Sequence, residues 1–140
     1  MQKTSTEAQL ASRSERSHAF ALEKSRGGND VFVQFMGRQT NLHRLWDGDL
    51  IDHAYPNATA LYKPVQAVLK TAQWRAWESG SPADWAMETH RVAQEAVYMF
   101  SDSRVIDDRY VEKALPVIHE QLAKAAVRLA GVLKRAVGQS

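Results

Sequence analysis

The sequence contains no cysteine among its 140 residues, and its 18 basic and 16 acidic side chains nearly cancel. Without cysteine, neither a disulfide framework nor a thiolate zinc site can form, so a metal ion would have to bind histidine nitrogen and carboxylate oxygen. A formal net charge of +2 is too small to indicate a dedicated nucleic-acid-binding surface. Any affinity for phosphate would therefore come from a local site.

The N-terminal part of the chain has no continuous apolar run. Residues 1–10 mix charged and polar side chains, so the sequence predicts neither a signal peptide nor a membrane span, and as written the chain is expected in the cytoplasm. Residues 1–26 are rich in Ser, Arg, Lys and Glu and poor in large apolar side chains. We interpret residues 1–26 as an N-terminal arm that is weakly ordered or unrelated to the rest.

The remainder has the composition of one compact domain, since 44% of the chain is hydrophobic. Val31 to Met36 form a β-branched and aromatic run bounded by glycines, which is the one strand signal in the chain and predicts a short strand or hairpin arm. Thr40 and Asn41 are both candidate N-caps for a helix that begins at Leu42 and continues to about Asp52.

Three further helices are predicted from hydrophobic spacing, over Ala58 to about Glu78, Pro82 to about Phe100, and about Asp107 to Val137. In the second of these, the residues expected to face inward are Trp85, Val92, Ala96 and Met99. In the last, they are Leu115, Ile118, Leu122, Ala126, Leu129 and Leu133. Such faces can be buried only against one another, so the expected fold is mainly α, a bundle of about four helices with one short hairpin or strand near residues 31–36.

His43 and Asp47 are the best candidate metal ligands. They lie four residues apart on a predicted helix, so both side chains leave the same face about one turn apart. Imidazole nitrogen and carboxylate oxygen are ligands that zinc accepts. By themselves the two residues also fit an exposed pair or a helix-capping carboxylate, because this spacing is common by chance.

The surrounding sequence supports the metal interpretation. Gly27-Gly28-Asn29-Asp30 comes first, a short β segment follows, and Asn41-Leu42-His43-Arg44-Leu45-Trp46-Asp47 comes next. This order and spacing resemble the single-strand-specific zinc nucleases of fungi, plants and bacteria, which share a helical fold with bacterial zinc phospholipases C. Matches around Trp85-Ala86 and from Gln121 to Ala130 extend the resemblance over about three-quarters of the chain.

The resemblance implies zinc as cofactor and hydrolysis of phosphodiester bonds in single-stranded DNA and RNA, with metal ions that activate water. It implies that His43 and Asp47 bind a zinc ion that stands apart from a close zinc pair. His18 is the candidate third ligand, or else a surface histidine. Asn29 is the candidate substrate-binding residue, or else a turn residue that hydrogen-bonds its own backbone. The remaining histidines, His53, His90 and His119, match no metal position and are expected to be surface or structural residues.

Residues 1–26 contain one histidine and no aspartate, although the resemblance implies further ligands there for the close zinc pair. We therefore expect a truncated member of a family that is normally secreted or periplasmic, with residues 27–140 as the C-terminal part of the nuclease domain. No membrane is expected as a partner. The alternative is a non-catalytic helical remnant or interaction module that binds at most one zinc ion, with self-association through uncovered apolar faces.

Overall fold

The computed structural model describes residues 25–71 and 73–138. His18 and almost all of the predicted N-terminal arm lie outside these residues. Strand β1 spans Phe32–Phe35, β2 spans Arg38–Asn41 and β3 spans Val105–Ile106, and all other regular elements are helices. The predicted mainly α class is confirmed. No helix in the described ranges is both long and apolar enough to cross a membrane.

The three strands form one small sheet in the order β2-β1-β3. β1 and β2 make the predicted hairpin, whose turn at Met36 and Gly37 has positive φ angles of 49° and 72°, as a two-residue turn of primed type requires. β3 pairs in parallel with β1, with Ile106 opposite Phe35. The expectation of one strand signal was incomplete, because β2 is polar and β3 has two residues, so neither shows a hydrophobic alternation.

Helix α1 has three consecutive parts, namely Leu42–Arg44, a π-helical turn Leu45–Asp49, and Leu50–Ala54. Asn41 is the residue that caps it, because its side chain accepts a hydrogen bond from the Arg44 amide at 2.8 Å. In the π turn the Leu50 amide donates to the Leu45 carbonyl, five residues back. Leu45 and Leu50 are both fully buried as a result, whereas a regular α-helix would separate them by about 140° around the axis.

Helices α2 (Ala58–Thr71) and α3 (Trp74–Glu78) replace the single helix predicted from Ala58 to Glu78. That prediction was wrong because Gln73, at φ −80° and ψ 63°, leaves the helical region. The change of direction brings the Trp77 carbonyl within 3.1 Å of Nε of Arg128.

Helix α4 spans Pro82–Val92 and continues as a π-helical turn, Ala93–Val97. It begins with a capping box, in which the Ser81 hydroxyl accepts from the Asp84 amide and the Asp84 carboxylate accepts from the Ser81 amide at 2.8 Å. The predicted start is therefore confirmed. The predicted inward position of Met99 is wrong, because the chain has left the helix there and Met99 is 66% exposed.

Helix α5 spans Asp108–Val137 and is capped by Asp107, whose side chain accepts from the Tyr110 amide at 2.9 Å. Its first half faces the core as predicted, with Ile118 buried. The predicted inward face is wrong in the second half, where Leu129 and Leu133 are 60% and 54% exposed.

The core lies between the sheet, α1, the end of α4 and the first half of α5. Its buried members are Val33, Phe35, Leu42, Leu45, Leu50, Tyr98, Ile106, Tyr110, Val111, Ala114 and Ile118. Burial of this apolar surface supplies the main stabilisation of the fold. Because Leu42, Leu45 and Leu50 of α1 belong to this core, the core fixes the position of α1.

A network of charged side chains explains the orientation of the second half of α5. Glu88 of α4 accepts from Nζ of Lys124 at 2.6 Å and forms a second ion pair with the Arg128 guanidinium. Lys124 also pairs with Glu120 at 2.6 Å. Because Lys124 and Arg128 turn inward to reach Glu88, the leucine face of α5 turns outward.

Burial would raise the pKa of the Glu88 carboxyl, but the hydrogen bonds and charges of Lys124 and Arg128 outweigh it and hold the pKa below its usual range. The stabilisation from this charge network is therefore fully present above the usual glutamate pKa. It is lost as the pH falls through the lowered value.

Replacement of Glu88 should destabilise the fold more than loss of an exposed ion pair. Glu88→Ala leaves two buried cations without that carboxylate, and we expect a loss of about 2–3 kcal/mol, below the range for a fully buried pair because 23% of the Glu88 side chain is exposed. Urea unfolding monitored by circular dichroism measures the difference. As control, Arg26→Ala removes a pair with Asp30 on the surface; an equal loss in both variants would contradict this account.

Candidate functional site

Residues 25–30 form a tight loop that packs against the start of α1. Arg26, Gly27 and Gly28 have consecutive positive φ angles of 46°, 67° and 87°. The buried Ser25 fixes the loop, since its carbonyl accepts from the Gly28 amide at 3.0 Å and its hydroxyl lies 2.7 Å from the hydroxyl of Tyr98. The loop is thereby tied to the hydrophobic core.

Gly28 lies so close to α1 that a side chain there would fit only if the helix shifted by a few tenths of an ångström. A Cβ atom there would lie 3.0 Å from the His43 amide nitrogen and 3.3 Å from Cβ of Leu42. The Gly28 carbonyl also accepts from the His43 amide at 3.4 Å. Glycine therefore meets two requirements at this position, a positive φ and a close backbone approach.

The His43 ring lies between the loop and the next turn of α1. Its Nδ1 is 3.1 Å from the Gly27 carbonyl, and its Nε2 is 3.1 Å from Oδ2 of Asp47. Both side chains remain well exposed, at 49% and 69%. Since each ring nitrogen faces an oxygen acceptor, both contacts are hydrogen bonds only when the imidazole bears two protons. A metal ion held by Nε2 and Oδ2 would meet the same arrangement with a proton on Nδ1 alone.

These two groups fit zinc in atom type and spacing. A zinc-bound histidine usually donates its other ring N–H to a carbonyl or carboxylate, which is the role that the Gly27 carbonyl can serve here. Two ligand atoms bound at tetrahedral zinc lie about 3.3 Å apart, close to the observed 3.1 Å. No group of three histidine, aspartate or glutamate side chains able to hold a metal occurs within residues 25–71 and 73–138. These residues therefore offer two ligands at this point.

His43 and Asp47 line an open cleft of about 650 Å³. Its other wall comes from α4, where Trp85, Thr89 and His90 line it. Sequence reasoning missed His90 as a residue of this cleft, because His90 matches no metal position and only the packing of α4 beside α1 brings it there.

Trp46 lies between the two candidate ligands in sequence but is tied to the core. Its Nε1 donates to the Tyr110 hydroxyl at 2.7 Å, and that hydroxyl donates to the Val97 carbonyl at 2.5 Å. Burial raises the pKa of Tyr110, so the phenol stays protonated and can donate. Trp46 thus fixes the orientation of α1 beneath the cleft.

Asn29 is exposed, and its Nδ2 donates to the Arg26 carbonyl at 2.9 Å, which is a turn contact. The side chain of Asn29 is not among those lining the cleft. His53 contacts the edge of Phe35 at a ring distance of 5.4 Å. His119 lies with Nε2 2.5 Å from the Tyr55 hydroxyl, and burial lowers the pKa of His119. His53 and His119 are therefore in structural contacts, away from the candidate ligands.

Comparison with known proteins places this arrangement in context. A family model described as S1/P1 Nuclease matches residues 17–138, a range that includes His18, Asn29, His43 and Asp47. Endonuclease 2 of Arabidopsis thaliana is 31% identical over 134 residues, which cover 86% of this chain and 46% of that relative.

Two further nucleases match this chain over a similar range. Endonuclease 3 of Arabidopsis thaliana is 33% identical over 125 residues, covering 78% of this chain and 42% of that protein. Nuclease S1 of Aspergillus oryzae is 27% identical over 128 residues, covering 76% of this chain and 45% of that protein. The chain thus spans less than half the length of the curated relatives that it matches.

The close approach of Gly28 to α1 can be tested with a matched pair of glycine variants. Gly28→Ala and Gly37→Ala both place a side chain at positive φ, each at a cost of about 1–2 kcal/mol, but Gly37 has open space around it. We expect Gly28→Ala to lose more unfolding free energy than Gly37→Ala in urea and to shift the ring resonances of His43 in NMR spectra. Equal losses with an unshifted His43 would show that the contact with α1 is unimportant.

Proposed function

Because this chain belongs to the S1/P1 nuclease family, we propose that it acts as a zinc-dependent endonuclease that hydrolyses phosphodiester bonds in single-stranded DNA and RNA. The observation that supports the proposal most directly is the pair of ligand atoms, Nε2 of His43 and Oδ2 of Asp47, which lie 3.1 Å apart in an open cleft. A site of this kind needs access for a polymeric substrate, and the cleft is open to solvent.

In this proposal His43 and Asp47 are zinc ligands, and His18, nine residues before Gly27, is the third. A catalytic zinc site has three protein ligands and one open position. When bound, zinc would activate a water molecule and stabilise the negative charge that develops on phosphate oxygen. The Gly27 carbonyl lies where it can accept a hydrogen bond from Nδ1–H of His43, and in that tautomer Nε2, which faces Asp47, is free to bind the metal.

Asn29 is the proposed substrate-binding residue. Its amide nitrogen already donates to the Arg26 carbonyl, which holds the side chain in a fixed place on the loop beside His43. The amide oxygen and the second N–H are then available for a nucleotide. Asn29 can therefore keep its hydrogen bond to the Arg26 carbonyl while it binds a nucleotide.

The activity is tested with the purified 140-residue chain on single-stranded DNA in the presence of added zinc. We expect cleavage that EDTA abolishes and that His43→Ala reduces at least about 100-fold, since loss of even an outer contact of a metal ligand costs up to that factor. His53→Ala is the matched control, because His53 also lies on α1 but outside the cleft. Absence of cleavage at every zinc concentration, or full activity in His43→Ala, would refute the proposal.

A second candidate function is that of a non-catalytic helical module that binds at most one zinc ion. Two observations favour it, namely the pair of ligands without a third within the described ranges, and the exposed apolar face of α5, where Val137 is 74% exposed. Such a face favours self-association. Native mass spectrometry combined with the cleavage assay separates the two candidates: a dimer with at most one zinc ion per chain and no zinc-dependent cleavage supports the module, whereas zinc-dependent cleavage supports the nuclease.

A further inference from the structure

Trp85 is the aromatic side chain of α4 that lines the cleft facing His43 and Asp47. The indole is held in one orientation by two contacts. Its Nε1 donates to the Ser79 carbonyl at 2.9 Å, and the Arg128 guanidinium lies over the ring, with Cζ 5.3 Å from the ring centroid.

Arg128 is itself fixed, so the support under Trp85 is rigid. Its Nε donates to the Trp77 carbonyl at 3.1 Å, and its guanidinium pairs with Glu88. Only 9% of Arg128 is exposed. A ring held in this way loses little conformational entropy when a ligand binds against it.

The wall around Trp85 combines apolar and polar groups in the proportion typical of a ligand site. Ala86 and Ala93 add apolar surface. Thr89 uses its hydroxyl within the helix, where it donates to the Trp85 carbonyl at 3.0 Å. His90 is exposed and lines the same wall. Its ring nitrogens are therefore the polar groups that this wall presents to a ligand.

We infer that Trp85 and His90 form a nucleotide subsite, in which one unpaired base stacks on the indole and His90 hydrogen-bonds to the same nucleotide. The inference rests on the proposed function, since it assumes that single-stranded nucleic acid enters the cleft. Stacking on an aromatic side chain needs an unpaired base and tolerates any sequence. The cleft volume of about 650 Å³ is large enough for one nucleotide. Trp46 also lines the cleft, but it is one of the side chains packed against the hydrophobic core, and Trp85 is not.

The subsite is tested by binding rather than cleavage. Fluorescence anisotropy of a labelled single-stranded oligothymidylate is measured with the full chain in EDTA, so that no hydrolysis occurs. Trp85→Leu keeps apolar bulk but removes the ring, and should weaken binding about 5- to 150-fold, the equivalent of one stacked base. Trp85→Phe should restore most of the affinity. Trp74→Leu, which changes an exposed tryptophan on α3 outside the cleft, should bind like the unchanged protein.

A thermal melt of each variant confirms that the comparison is made between folded proteins, and His90→Ala provides a second variant that leaves the indole in place. We expect His90→Ala to weaken binding several-fold. Unchanged affinity in both Trp85→Leu and His90→Ala, or no binding by the unchanged protein, would overturn the subsite. If zinc-dependent cleavage fails while Trp85→Leu still loses affinity, the nuclease proposal falls and the subsite stands.

Discussion

The carboxylate of Glu88, which lies between Lys124 and Arg128, determines how α4 and the second half of α5 face each other. Lys124 and Arg128 can be buried on one face of α5 because Glu88 supplies an anion, since burial of these charges without a partner would be costly. The second half of α5 therefore presents its charged side to α4 and its leucines to solvent. The same contact places Arg128 beneath Trp85, so that one ion network sets both the outer surface of the helix and the inner wall of the cleft.

The opposite side of the cleft depends on backbone geometry. Three consecutive positive φ angles bring the Gly27 carbonyl to His43 and the Gly28 backbone against the first turn of α1. The cleft therefore has two walls with different supports. The ion network of Glu88 holds α4, and the loop of Gly27 and Gly28 holds the start of α1. Ser25 and Tyr98 fix the loop, and Glu88 ties α4 to α5.

Much of this structure could be predicted from the sequence where local chemistry decides the outcome. Asn41, Ser81 and Asp107 precede helices as side-chain caps, and the four-residue spacing of His43 and Asp47 correctly predicts that their polar atoms meet. The features that could not be predicted depend on distant residues. The inward turn of Lys124 needs Glu88, 36 residues away. The position of His90 in the cleft results from the packing of helices. The polar strand β2 forms because β1 pairs with it and the turn at Met36 and Gly37 connects the two.

The π turn in α1 gives the two sides of one helix different periodicities. Towards the cleft, the residues that matter recur after four positions, at His43 and Asp47; towards the core, they recur after five, at Leu45 and Leu50. A uniform α-helix could not satisfy both intervals, since one of the leucines would rotate out of the interior. The π turn therefore lets one short helix present its polar pair to the cleft and two leucines to the core, so that each face keeps the spacing that its own contacts require.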